Sequence, residues 1–89
     1  MKMTVYCSWG VLAHEKHPVY SVHAPASEIC DKVEINIPDE IIYGVNEIDE
    51  PILLLDGTKY LLSEALTNAG DSPVLRWHNG ITYNSISLS

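Results

Sequence analysis

Both cysteines and three of the four histidines lie between residues 7 and 30, where together they could coordinate a metal ion. Zinc binds four nitrogen or sulfur ligands arranged as a tetrahedron. The sequence lacks the pair of closely spaced cysteines that structural zinc sites usually contain. We therefore interpret the cysteines as reduced core thiols and the histidines as surface residues, and we predict no metal and no other cofactor. The candidate ligands under this alternative are Cys7, His14, His17, His23 and Cys30.

A cysteine activated by a histidine base could instead act as a nucleophile. No local nucleophile motif such as Gly-x-Ser-x-Gly occurs, and the five glycines are isolated from one another, which excludes a phosphate-binding loop. A chain of 89 residues forms one domain, 1–89, and seldom holds a deep substrate pocket. We predict a protein that is not an enzyme and has no catalytic residues.

The net charge of −7 is confined to residues 28–50, whereas the rest of the chain is neutral overall. Such a surface repels nucleic acid and anionic membranes and attracts basic proteins. Apolar residues alternate with the acids, and a charged rim around an aromatic residue is typical of protein interfaces. We predict that the partner-binding residues are the eight acids and one tyrosine: Glu28, Asp31, Glu34, Asp39, Glu40, Tyr43, Glu47, Asp49 and Glu50.

The elements that position these residues follow from the hydrophobic pattern. Period-two alternation predicts strands at 4–12 and 32–37, with 14–18 as a turn into a returning strand at 19–23. Four consecutive apolar residues at 52–55 predict a strand buried on both faces. Asp56-Gly57 predicts a hairpin turn into 58–62.

Short helices are predicted at 25–31 and at 64–68, the second capped by Ser63, and Gly44 is predicted to end a turn over 39–43. Residues 74–86 favour a hairpin, although Ser72 and Pro73 could also begin a helix. The predicted fold is a single α+β domain. Its sheet is mainly antiparallel, with about five or six strands, and one or two short helices accompany it.

Residues 62–81 also resemble the helix-turn-helix of MerR-type and excisionase-type regulators. The resemblance implies a DNA-binding regulator with a degenerate motif. However, the predicted recognition helix contains one base, Arg76, and DNA affinity depends on several lysines or arginines. We keep this function as an alternative and predict no direct binding to nucleic acid.

In size, charge and lack of catalytic motifs, the chain resembles small inhibitors encoded by phages and other mobile elements, such as anti-CRISPR proteins. The resemblance implies a cytoplasmic protein of a bacterial host cell that occupies the basic groove of a nucleic-acid-binding protein or complex. A CRISPR surveillance complex is one such partner. The same acidic surface is also compatible with an alternative function, which is that of an immunity protein or antitoxin that neutralises a basic nuclease toxin.

Overall fold

Antiparallel strands account for most of the chain. The computed structural model describes residues 1–12, 14–24, 26 and 30–89, and of Val11 and Leu12 it describes only the backbone. Within these residues, nine strands form three three-stranded sheets with the orders β2-β1-β3, β4-β5-β6 and β7-β8-β9. The strands are β1 Lys2–Leu12, β2 Glu15–Ser21, β3 Asp31–Asn36, β4 Ile42–Val45, β5 Pro51–Leu55, β6 Thr58–Leu61, β7 Leu66–Ala69, β8 Ser72–His78 and β9 Tyr83–Ser87.

Helical structure in the described residues is limited to two single turns. A 3₁₀ turn, Asp39–Ile41, leads into β4, and the helical turn α1, Leu62–Ala65, joins β6 to β7. The prediction of an α+β fold is therefore wrong, because the described chain is all-β. A helix of four residues forms too few backbone hydrogen bonds to offset the free-energy cost of nucleating it.

All three sheets contribute to one hydrophobic core. Val5 on β1, Leu53 on β5 and Leu75 on β8 are fully buried, and each of these strands is the central strand of its sheet. The molecule measures 37 × 31 × 19 Å, and its smallest dimension corresponds to two packed layers, since stacked sheets lie about 10 Å apart. The core residues are Val5, Ile35, Ile37, Leu53, Leu55, Leu62, Ala65, Leu75 and Leu88.

Hydrogen bonds join the sheets at their ends. The Leu88 amide donates to the carbonyl of Pro73 on β8, and the Leu88 carbonyl accepts the amide of Asn36 on β3. The Tyr20 hydroxyl donates to the Asp71 carbonyl over 2.6 Å, which connects β2 to the turn between β7 and β8. The Asn36 bond occupies part of the outer edge of β3.

Several predicted strands are confirmed. The alternation of apolar and polar residues correctly predicted β1 and β3. The hairpin predicted over 74–86 is formed by β8 and β9. The turn at Asp56 and Gly57 is also confirmed, since both residues have positive φ, 51° and 80°.

Other local predictions are wrong. The predicted turn at 14–18 is shorter, because β2 already begins at Glu15. Residues 52–55 are not buried on both faces, because Leu54 is 42% exposed. Gly44 does not end a turn but lies inside β4.

The predicted helix at 64–68 is also wrong. Only α1 is helical there, and Leu66 and Thr67 pair with Leu75 and Val74 as strand β7. Ser63 lies within α1 and does not cap it. Of the predicted helix at 25–31, residues 25 and 27–29 lie outside the described residues, and Asp31 begins β3.

The two glycines of the second sheet differ in what they require of the backbone. Gly57 has φ 80°, which disfavours any residue with a Cβ, whereas Gly44 has no positive φ and a Cβ added to it would meet no atom within 4 Å. We expect Gly57→Ala to lower the free energy of unfolding by about 1 kcal/mol. Gly44→Ala should leave it unchanged or raise it slightly. Urea denaturation measures both, and equal losses in the two variants would contradict the assigned turn.

Candidate protein-binding surface

The nine residues predicted to bind a partner do not form one surface. Tyr43 and the six acids at positions 31, 34, 39, 40, 47 and 49 are exposed. Glu50 is buried. Glu28 lies outside the described residues. The exposed acids divide into two groups, one on β3 and one at the ends of β4.

The two acids on β3 point to opposite sides of their sheet. Successive side chains of a strand alternate between faces, so Asp31 shares a face with the buried Ile35, and Glu34 lies on the other face. Lys2 on the neighbouring strand places its ammonium nitrogen 3.9 Å from Glu34 Oε1. This part of the acidic stretch is therefore divided between two faces and partly neutralised.

The other four exposed acids flank the edge strand β4. Asp39 and Glu40 lie in the 3₁₀ turn before it, and Glu47 and Asp49 lie in the loop after it. Six residues lie between the two pairs, and the four of them that form β4 span about 13 Å. Between and beside them, Tyr43, Val45 and Ile48 are 59%, 57% and 60% exposed. We call these residues the acidic β4 surface: Asp39, Glu40, Tyr43, Val45, Glu47, Ile48 and Asp49.

Lysine and arginine are absent from the sequence between residues 33 and 58. The nearest base on the same sheet is Lys59, whose ammonium nitrogen lies 4.0 Å from the centre of the Tyr43 ring. A cation at that distance is attracted to the ring face. Lys59 thus holds the Tyr43 ring on the solvent face of the sheet, beside the acids. Asp39 Oδ1 forms an ion pair of 2.8 Å with the Met1 amino group, so the charge of this acid is partly neutralised.

The loop that carries Glu47 and Asp49 is built around Asn46. Its side-chain oxygen accepts the amides of Ile48 and Glu50 at 3.1 and 2.9 Å. Asp49 has φ 60°, a conformation that aspartate tolerates better than most residues. Val45, Asn46, Glu47 and Ile48 line an open depression on this side of the molecule.

Glu50 connects this loop to α1 through its carboxylate. It is 3% exposed, and its Oε2 accepts the amide of Ser63 at 2.8 Å. Asn46 Nδ2 donates to Oε1 over 3.4 Å. Burial alone would raise the pKa of Glu50, but hydrogen bonds from Ser63 and Asn46 outweigh it, so the pKa lies below its ordinary value. Glu50 is a structural residue, and we remove it from the predicted interface.

The cysteines and histidines considered as metal ligands do not converge. Among the described residues, no three histidine, cysteine or acidic side chains lie close enough together to hold a metal ion. Cys7 and Cys30 are both unbridged. Burial, and next the Asp31 carboxylate, raise the pKa of the Cys7 thiol, which makes it a poor nucleophile.

The helix-turn-helix suggested for 62–81 does not form. The recognition helix that this function requires is replaced by strand β8, which pairs with β7 and β9. In the part of the chain that the structure describes, no helix is long and apolar enough to cross a membrane.

Sequence reasoning indicated the apolar residues among the acids, which include Val45 and Ile48, but it missed Leu54. Leu54 is exposed because it lies on the outer face of its sheet, although it belongs to a run of four apolar residues. Ile81 and Tyr83, near the β8–β9 turn, are also largely exposed. The sequence does indicate this second region, because no acid, lysine or arginine occurs from Trp77 to Ser89.

Comparison of the chain with models of known protein families, with curated proteins and with solved structures gives no match. The function must therefore be argued from the surfaces themselves.

The structural role of Glu50 predicts a stability defect. Glu50→Gln removes the charge that strengthens the hydrogen bonds from Ser63 and Asn46, so it should lower the free energy of unfolding by about 1–3 kcal/mol at pH 7. The control is Glu47→Gln in the same loop, which is exposed and should change stability by less than about 0.5 kcal/mol. Urea denaturation followed by tryptophan fluorescence measures both. Equal stability of the two variants would contradict the role assigned to Glu50.

Wild type and Glu50→Gln together also test the direction of the pKa shift of Glu50. Because folding lowers the pKa of Glu50, its contribution to stability is complete above its unfolded value near 4.5 and is lost as the pH falls through the folded value. The difference in stability between wild type and Glu50→Gln should therefore be constant near neutral pH and shrink below pH 4.5. A difference that grows on acidification would refute this assignment.

The two thiols should differ in reactivity. Cys7 is buried and its pKa is raised, whereas Cys30 is half-buried. We expect iodoacetamide at pH 8 to label Cys30 at least roughly tenfold faster than Cys7 in the folded protein, because the thiolate is the reactive form. Peptide mass spectrometry of timed samples measures both rates, and in urea they should become similar. Equal rates in the folded protein would show that Cys7 is accessible and reactive.

Proposed function

We propose that this chain is a non-enzymatic acidic binding protein that inhibits a nucleic-acid-binding protein or complex by occupying its basic groove. The observation that carries the proposal is the acidic β4 surface, in which four exposed acids flank exposed apolar side chains. The partner's lysines and arginines would contact these acids in place of phosphates, so the chain and the nucleic acid would compete for the same groove.

Charge on this surface favours encounter with a basic groove. The acidic β4 surface contains four exposed acids, Asp39, Glu40, Glu47 and Asp49, and the sequence from residue 33 to residue 58 contains no lysine or arginine. The field of these acids extends over about 8 Å at physiological salt, which accelerates association with a groove of opposite sign. Binding should therefore weaken as salt is added.

Apolar contact supplies the part of the affinity that salt does not screen. Tyrosine is enriched among the residues that dominate binding energy, and such residues lie within a polar rim. Tyr43 has this position, with Val45 beside it on β4 and Ile48 in the following loop. Acids give the surface its preference for a basic partner, and the apolar centre stabilises the complex once formed.

Charge reversal tests the proposal with a matched control. Glu40→Lys with Glu47→Lys reverses one exposed acid at each end of β4. Glu15→Lys with Asp71→Lys makes the same change in net charge at exposed positions outside the surface. We expect the first pair to weaken partner binding at least about tenfold, since like charges face each other across the interface, and the second pair to change it little.

The partner is obtained by affinity capture from a bacterial lysate at low salt and elution at high salt. Each captured protein is purified, and its binding to nucleic acid is measured by gel shift with increasing amounts of wild type and of the two variants. Stoichiometric loss of nucleic-acid binding with wild type and with the Glu15/Asp71 variant, but not with the Glu40/Glu47 variant, is the expected result. Nucleic-acid binding that persists at saturating wild type would overturn the proposal.

A further inference from the structure

We propose that the outer edge of β4 binds an extended, basic segment of the partner as an additional antiparallel or parallel strand. This inference rests on the proposed function only in taking the partner to be basic. It adds the mode of binding, which is backbone pairing at a defined strand, and the kind of segment that fits: about four residues with apolar side chains on one face, with lysine or arginine at each end.

Apart from the Ile42 amide, which donates to the Asp39 carbonyl of the 3₁₀ turn, no strand of the described chain pairs with the outer side of β4. β4 is the edge of its sheet, and its ladder bonds in the described residues go to β5 alone. The outer edge of β3 differs in this respect, because the Asn36 amide donates to the Leu88 carbonyl. An exposed strand edge is a template for a further strand, whose main-chain hydrogen bonds supply affinity.

Side chains on β4 leave room for an incoming strand. A Cβ placed on Gly44 would meet no atom within 4 Å, so the face of the sheet that Gly44 lines has room for the side chains of an added strand. Tyr43 and Val45 are both more than half exposed, and a neighbouring strand would cover them through cross-strand contacts. A register shift between Ile42 and Gly44 shortens the regular part of this edge, which limits the added strand to a few residues.

Charge complementarity identifies the occupant. Edge strands are commonly guarded by lysine, which repels incoming strands. β4 is flanked instead by Asp39 and Glu40 before it and by Glu47 and Asp49 after it. Basic side chains at both ends of an added strand of similar length would meet these acids. A second copy of the chain would bring the same acids against each other, so the occupant is not another copy.

A synthetic peptide tests the inference directly. The probe has two lysines at each end of Val-Thr-Val-Thr, and the comparison peptide is identical except that its four central amides are N-methylated. Each is titrated into uniformly ¹⁵N-labelled full-length protein while amide shifts and hydrogen exchange are measured by NMR. We expect shifts and slower exchange at residues 42–45 with the first peptide, and at least about tenfold weaker binding of the methylated one, which cannot donate backbone hydrogen bonds.

Protein variants and self-association complete the test. Glu40→Lys with Glu47→Lys should weaken peptide binding about tenfold, and Glu15→Lys with Asp71→Lys should leave it unchanged. Equal affinity for both peptides, shifts located away from β4, or a dimer in sedimentation equilibrium would overturn the inference. If wild type blocks the captured partner's nucleic-acid binding but does not bind the peptide, only the edge-strand inference fails. If it binds the peptide but blocks no partner, only the proposed function fails.

Discussion

Burial of one face of each small sheet against the others is the constraint on which the structure depends. A three-stranded sheet with one apolar face is stable only when that face is covered. The central strands β1, β5 and β8 each place a fully buried residue, Val5, Leu53 and Leu75, in the shared core. Each sheet shields the apolar faces of the other two from water, so the three must be held in fixed positions by the contacts between them. The bonds of Leu88 to β8 and β3 provide one such connection.

A second connection joins the sheet that carries the acids to the sheet of β7, β8 and β9. Asp56, in the β5–β6 turn, accepts a hydrogen bond of 2.7 Å from the Trp77 indole on β8. Its positive φ of 51° is the conformation that a tight hairpin turn imposes, so one residue both closes a hairpin and bonds to the next sheet. This bond therefore links the turn of the β5–β6 hairpin to β8, and β4 joins the same sheet through its pairing with β5.

The sequence predicted those features that depend on neighbouring residues. Alternation in β1 and β3 and the Asp56-Gly57 turn are local patterns, and all three are confirmed. The helix predicted at 64–68 failed because the local signals for a helix competed with a strand partner, β8, whose pairing is set by the whole sheet. Glu50 was misassigned for a similar reason, because its hydrogen-bond partner Ser63 lies thirteen residues away and no pattern marks the pair.

The buried acid has a consequence for the exposed ones. Glu47 and Asp49 lie in a loop that begins at Asn46 and ends at Glu50, and both of these end residues are bonded to each other. Glu50 in turn accepts the Ser63 amide at α1, whose residues Leu62 and Ala65 are in the core. The Glu50 carboxylate thus ties this end of the loop to the core. The bonds that close the turn itself, from the Asn46 amide to the Glu50 carbonyl and from the Ile48 and Glu50 amides to Asn46 Oδ1, do not use that carboxylate. Loss of its charge would therefore weaken the link between the loop and α1 while the turn that presents Glu47 and Asp49 stays closed by its own bonds.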